Sequence, residues 1–172
     1  MRHPLLDEAV LISREIPGAV FVGALAVFAH TKIIRGSEDI DLAIATLQTE
    51  RLLSIGYTRN SNSKHGYITP LPREYKVDIF TKDVSEVPVT EVMKSSREII
   101  VDNRKNTKLR VAALEVISLT KFRAARSQDA YDLQVIVQEK IDDMDWTYMR
   151  SICKSEYEFE DIKITLRHYK GG

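Results

Sequence analysis

The stretch that most limits the folds open to this chain is Asp39-Ile40-Asp41-Leu42-Ala43-Ile44. Acidic and apolar residues alternate in it, and successive side chains of a strand point to opposite faces. Asp39, Asp41, Ala43 and Ala45 therefore share one face, and Ile40, Leu42 and Ile44 share the other, which reads as core. Two carboxylates on one accessible face repel each other unless a cation lies between them. A hard divalent ion with oxygen ligands, Mg2+ or Mn2+, meets that need. Upstream, Ala19 to Val22 reads as a short buried strand, Gly23 breaks it, and Ala24 to His30 reads as a helix. A glycine between a strand and a helix start lets backbone amides approach a phosphate at the positive end of the helix dipole. Neither half is specific alone, and a second Asp-x-Asp, Asp143-Met144-Asp145, is assigned to the surface. The order is what narrows the choice: strand, glycine turn, helix, then an acidic pair on a second strand.

A chain of 172 residues is long enough for a substantial core and is read as a single domain. The formal net charge is +0, so overall charge gives no reason to expect a nucleic-acid-binding protein. Locally, basic residues dominate from Lys94 to Arg126 and acidic ones from Glu139 to Asp161. The single cysteine, Cys153, excludes an internal disulfide and is expected to be a buried thiol. The N-terminus lacks a signal-peptide pattern, and the longest apolar run, Ala19 to Ala29, is too short to span a membrane, so a cytoplasmic protein is expected. His3, His30, His65 and His168 are scattered and lack the paired spacing of a zinc site.

Apolar spacing predicts a helix over Pro4 to Glu15, stopped by Pro17-Gly18. Beyond the acidic strand, which is taken as Ile40 to Ala45, a helix is predicted over Thr46 to Ile55. Paired strands are predicted over Tyr57 to Arg59 and Gly66 to Leu71, around Asn60-Ser61-Asn62-Ser63. Tyr75 to Phe80 alternates again, with Val77 and Ile79 on one face and Asp78 on the other. Were this strand to neighbour Ile40 to Ala45, Asp78 would lie within about 5 Å of the acidic pair and could share its metal. Thr81 to Val89 reads as a loop, and Glu98 to Val101 with Lys108 to Val111 as a hairpin. Helices are expected over Ala113 to Arg126, Gln128 to Lys140, Met144 to Lys154 and Glu160 to His168. The expected architecture is α/β (α+β): an α/β half over 1-112 and a helical half over 113-172.

The segments Gly23-Ala24 and Arg35-Gly36-Ser37-Glu38-Asp39-Ile40-Asp41-Leu42 resemble the nucleotidyltransferase-fold superfamily, in particular the abortive-infection (AbiEii-type) nucleotidyltransferase toxins. That resemblance implies a nucleotidyltransferase-like mixed sheet flanked by helices and a third acidic residue on a later strand, the place Asp78 takes. A further match is Lys121, Ala125-Arg126, Asp129 and Asp132-Leu133, which follow the family's order. Ala24 departs from it, standing where the family has Gly or Ser, so a hydroxyl is missing at the turn while the backbone N–H remains.

The resemblance implies a metal-dependent nucleotidyltransferase that moves a nucleoside monophosphate from a nucleoside triphosphate to an acceptor. The acceptor is left open between a tRNA 3′ end, a protein hydroxyl and a small antibiotic, and an antitoxin protein is implied as partner. Catalytic roles fall to Asp39, Asp41, Asp78 and Lys121, and metal binding to Asp39, Asp41 and Asp78. Nucleotide contacts fall to Gly23, Ala24, Arg35, Ser37, Arg126 and Asp129. The alternative is a catalytically silent nucleotide- or partner-binding module on the same fold. Lys121 is expected to project towards Asp39 and Asp41 across a cleft, and Asp129 to hold the Arg126 guanidinium from one turn away. Asp132 is expected to anchor the two helices through an internal ion pair.

Overall fold

The computed structural model describes residues 4–33, 35–37, 39–103 and 105–171; Glu38 and His3, both named above, lie outside them. Helix α1 (Pro4–Glu15) buries Leu5, Leu6, Ala9 and Ile12, one stripe at helical spacing. Strand β1 (Val20–Phe21) leads into helix α2 (Gly23–Thr31), and strand β2 (Asp39–Ala43) follows. Helix α3 (Thr49–Ser54), strands β3 (Thr58–Arg59) and β4 (Gly66–Ile68) and strand β5 (Lys76–Phe80) complete the first part.

These strands belong to a sheet of order β3-β4-β5-β2-β1-β9-β8, closed at its far edge by the hairpin β8 (Arg97–Asp102) and β9 (Thr107–Val111). Strand β2 runs antiparallel to β1 and parallel to β5, while β1 and β9 are parallel. The β2–β5 register sets Asp41 opposite Asp78 and Asp39 opposite Lys76. Ile40, Leu42 and Ile44 are buried, as their alternation predicts. The other face of β2 is open only in its first half: Ala43 is fully buried although it shares that face with the aspartates. Helix α2 packs against β2 there, which confines the accessible carboxylates to the start of the strand.

The helical part consists of α5 (Leu114–Ala124), α6 (Ser127–Lys140), a 3-10 turn at Ile141–Asp143, α7 (Trp146–Ile152) and α8 (Glu156–Gly171). Helix α5 is buried along Leu114 to Lys121, one residue after another. It packs on α2, α6 and α7, so it is an interior helix and not a surface one with a single apolar stripe. One contiguous core runs from Leu5 to Leu166.

Three expectations need correction. The predicted loop Thr81 to Val89 contains a hairpin, β6 (Asp83–Val84) and β7 (Val87–Pro88), followed by helix α4 (Val89–Ser95). The helix predicted over Thr46 to Ile55 is shorter, running only over Thr49–Ser54. Cys153 is half-buried, and its surroundings push the thiol up to about 11 by desolvation. Asp143 and Asp145 are exposed as expected, and Asp145 caps α7 by accepting from the Tyr148 amide at 2.9 Å. Among the described residues no helix is long and apolar enough to cross a membrane.

Candidate active site

A cleft of about 620 Å³ opens where the N-terminal turns of α2 and α6 meet the starts of β2 and the middle of β5. Its lining brings together Gly23, Ala24, Arg35, Ser37, Asp39, Asp41, Asp78, Lys121, Arg126 and Asp129, the full set singled out from sequence. Two other linings, Phe80 and Val84, add an apolar side, and Val84 comes from the hairpin that the sequence did not reveal.

The acidic floor is built around Gly23. The amide of Val22 donates to the Asp41 carbonyl at 3.0 Å, so the junction between β1 and α2 lies directly beside Asp41. Gly23 has φ +61, and a Cβ there would come within 2.0 Å of Asp41 Oδ2. Glycine is thus required twice, for the left-handed backbone and for the space that the carboxylate occupies. The first amides of a helix lack intrahelical acceptors, and those of α2 open beside this carboxylate. Burial pushes Asp41 up to about 6; Asp78 and then Asp39 add repulsion, while Lys121 and Arg126 pull the other way. A carboxylate held in this state is a charge awaiting a cation.

The donor set fits a hard divalent ion, since it consists of carboxylates with Asp41 between Asp39 on its own strand and Asp78 on the next. The three do not yet converge: among the described residues no group of three or more His, Cys, Asp or Glu side chains is arranged as a ready metal cluster. One reason is visible, for Asp78 Oδ1 accepts a hydrogen bond from Ser63 Oγ at 2.6 Å.

The facing wall is basic, and both of its carboxylates are already paired. Lys121 Nζ contacts Asp129 Oδ1 at 2.8 Å and Asp132 Oδ2 at 2.7 Å. Arg35 grips Asp132 with two hydrogen bonds, Nε to Oδ1 at 2.6 Å and Nη2 to Oδ2 at 2.9 Å. Arg126 donates to Asp129 Oδ2 from Nε at 2.7 Å and from its backbone N–H at 3.2 Å. Burial opposes ionisation of Asp129, but the hydrogen bonds from Arg126 and Lys121 overcome it and hold the carboxyl below its usual value. Three cations meet two buried carboxylates, leaving one positive charge in excess at the edge of the cleft.

This arrangement revises the expected role of Lys121. It lies in the cleft lining, but its side chain is only 6% exposed and is held by two carboxylates. The Arg126 side chain is 62% exposed and is the more available cation of the two. Asp129 holds the Arg126 guanidinium and Asp132 ties α6 to α5 and to the loop before β2, both as expected. The Ser37 hydroxyl donates to the Asp39 carbonyl at 2.9 Å.

Compared with models of known protein families and with curated protein sequences, the chain matches none. Solved structures do resemble it over nearly its whole length. An antigenic nucleotidyltransferase-like protein from Paracoccidioides brasiliensis superposes with a TM-score of 0.62 at 14% identity, covering 98% of this chain and 89% of that one. JHP933 from Helicobacter pylori gives 0.54 at 15% identity, over 98% and 90%. The antibiotic-resistance factor ANT(2'')-Ia gives 0.50 at 14% identity, over 98% and 92%. The fold is therefore that of the nucleotidyltransferases, a mixed sheet with flanking helices.

Proposed function

We propose that this chain is a metal-dependent nucleotidyltransferase acting on a nucleoside triphosphate. The observation that carries the reading is the Gly23–Asp41 junction. There a helix start and a carboxylate of raised pKa occupy the same few ångströms of the cleft floor, with Asp78 opposite in register. In this reading the triphosphate lies with its phosphates at the first turn of α2, over the amides of Gly23 and Ala24. Arg126 reaches the phosphates from the opposite wall. Lys121 acts through charge rather than contact, pairing with Asp129 and Asp132, which hold Arg126 and Arg35 in place. Asp39 and Asp41 would hold Mg2+ or Mn2+, which when bound offsets charge on the leaving pyrophosphate. In this reading Asp78 takes the proton of an acceptor hydroxyl.

Ala24 favours a second reading, a binding module without turnover, because no hydroxyl stands at the phosphate turn. The two separate by calorimetry and by pyrophosphate release. An enzyme binds triphosphate with Mn2+, loses that binding on Asp39→Asn, and releases pyrophosphate when offered its acceptor. A module binds and releases none with tRNA, protein or aminoglycoside acceptors. The likeness of residues 35-42 and 121-133 to abortive-infection toxins supports a toxin role, for which growth arrest on expression, relieved by Asp41→Asn, is the test.

A further inference from the structure

Beside the cleft, residues 60 to 66 form a turn whose purpose the site does not explain. It is fixed by its own backbone: Asn60 N–H donates to Gly66 O at 2.9 Å, Ser63 N–H to Asn60 O at 3.2 Å, and Gly66 N–H to Ser63 O at 3.1 Å. The Asn62 amide adds a bond to Asn60 Oδ1 at 3.1 Å. Gly66 lies opposite Asp78 in the β4–β5 register, and a Cβ on it would come within 2.6 Å of Ser63 Cβ and 3.0 Å of Ser63 Oγ. The missing side chain is what lets Ser63 fold over the strand and set its hydroxyl on Asp78 Oδ1 at 2.6 Å.

That separation is the one a general base needs to the hydroxyl it deprotonates. A hydroxyl held so by a rigid turn is also positioned without further loss of freedom, which favours reaction within the molecule. Next to it, Arg59, Lys64 and His65 line a second hollow of about 410 Å³, and all three are exposed. Of these, Lys64 directly follows Ser63 in the chain, and Lys64 and Arg59 are cations.

We propose that Ser63 is a self-acceptor, the hydroxyl of this chain onto which it transfers a nucleoside monophosphate. The inference rests on the nucleotidyltransferase reading above. Ser63 Oγ attacks the α-phosphorus of a bound nucleoside triphosphate and the Oγ–P bond forms. The bond from the α-phosphorus to the bridging oxygen breaks, pyrophosphate leaves with that electron pair, and the serine proton passes to Asp78 Oδ1. The product is a phosphodiester on Ser63, and the modified side chain no longer donates to Asp78.

The test is mass spectrometry of the full chain after incubation with Mn2+ and each of the four common ribonucleoside triphosphates. Calorimetry of the wild-type chain with a non-hydrolysable triphosphate runs beside it. The expected result is a single added nucleoside monophosphate, placed on Ser63 by fragment spectra that separate it from Ser61. It should be absent in Ser63→Ala and recovered in Ser63→Thr, and its rate should not change with protein concentration. Triphosphate binding with no adduct, or an adduct on another residue, overturns the self-acceptor while leaving the nucleotidyltransferase reading in place. Absence of both binding and adduct overturns both.

Discussion

The acidic floor and the basic wall of the cleft contain charges of opposite sign, and they differ more in how those charges are satisfied. Asp39, Asp41 and Asp78 crowd one another, and Asp41 sits high at about 6 because burial and repulsion both oppose its ionisation. Across the cleft, Asp129 and Asp132 are 0% and 1% exposed, yet every short contact they make is to a cation. The floor is held at a cost to the fold and awaits a ligand. The wall is a completed ion-pair network that fastens α5, α6 and the loop before β2. Residues that look equally functional in sequence thus divide into a group that a ligand must complete and a group that the protein has completed itself.

The sharpest way to break this contrast is to remove the centre of each group. Lys121→Met removes two charge-assisted hydrogen bonds from buried carboxylates that each keep one arginine; at about 1.5–3 kcal/mol apiece, a loss of about 3–5 kcal/mol is expected. Urea unfolding should show that loss. A change below about 1 kcal/mol would mean the wall is as loosely satisfied as the floor. Gly23→Ala drives a Cβ into Asp41 Oδ2 from a left-handed backbone, so a loss of about 1–3 kcal/mol is expected. Triphosphate binding should disappear with it, and calorimetry on the folded fraction reads this.

Asp41→Asn should have the opposite sign on stability. The folded pKa lies above the ordinary value of 3.8, so the folded state binds more protons between the two values. Stability of the metal-free protein should therefore fall as pH rises from about 4 to about 6 and level off above. The asparagine variant should lack this slope and gain on the order of 2 kcal/mol at neutral pH. Equal slopes in both proteins would show that Asp41 is not strained. The smallest effect on stability belongs to Arg126→Ala, about 0.2–1 kcal/mol as for exposed ion pairs. Its triphosphate affinity should nevertheless drop about tenfold, the equivalent of about 1.4 kcal/mol.

Much of the floor was legible in the sequence because its signals are local. The alternation from Asp39 to Ile44 gives the strand and its faces, and Gly23 gives the turn. Nothing local couples β2 to β5, and the register that sets Asp78 opposite Asp41 comes from the structure. The wall was legible as a list of residues and not as a network, for Arg35 and Asp132 are 97 positions apart and nothing local couples them. Burial of Lys121 was missed for a related reason. An interior helix enclosed by three others has no polar face, and no single-stripe pattern describes it. The β6–β7 hairpin escaped because its turn residues Ser85 and Glu86 take φ +44 and +64, a conformation usually signalled by Asn-Gly. The Ser63 contact needs the fold, since a turn-rich Asn-Ser-Asn-Ser run gives no hint that one hydroxyl meets a carboxylate on β5.

The central claim is that the strained floor is completed by a cation and a triphosphate. The most direct measurement is a crystal structure with Mn2+ and a non-hydrolysable nucleoside triphosphate, with the metal located by its anomalous signal. The account predicts Mn2+ bound between Asp39 and Asp41, Asp78 still accepting from Ser63, and the phosphates at the first turn of α2 near Gly23. Triphosphate found elsewhere, or a cleft floor without manganese under saturating ligand, would contradict it.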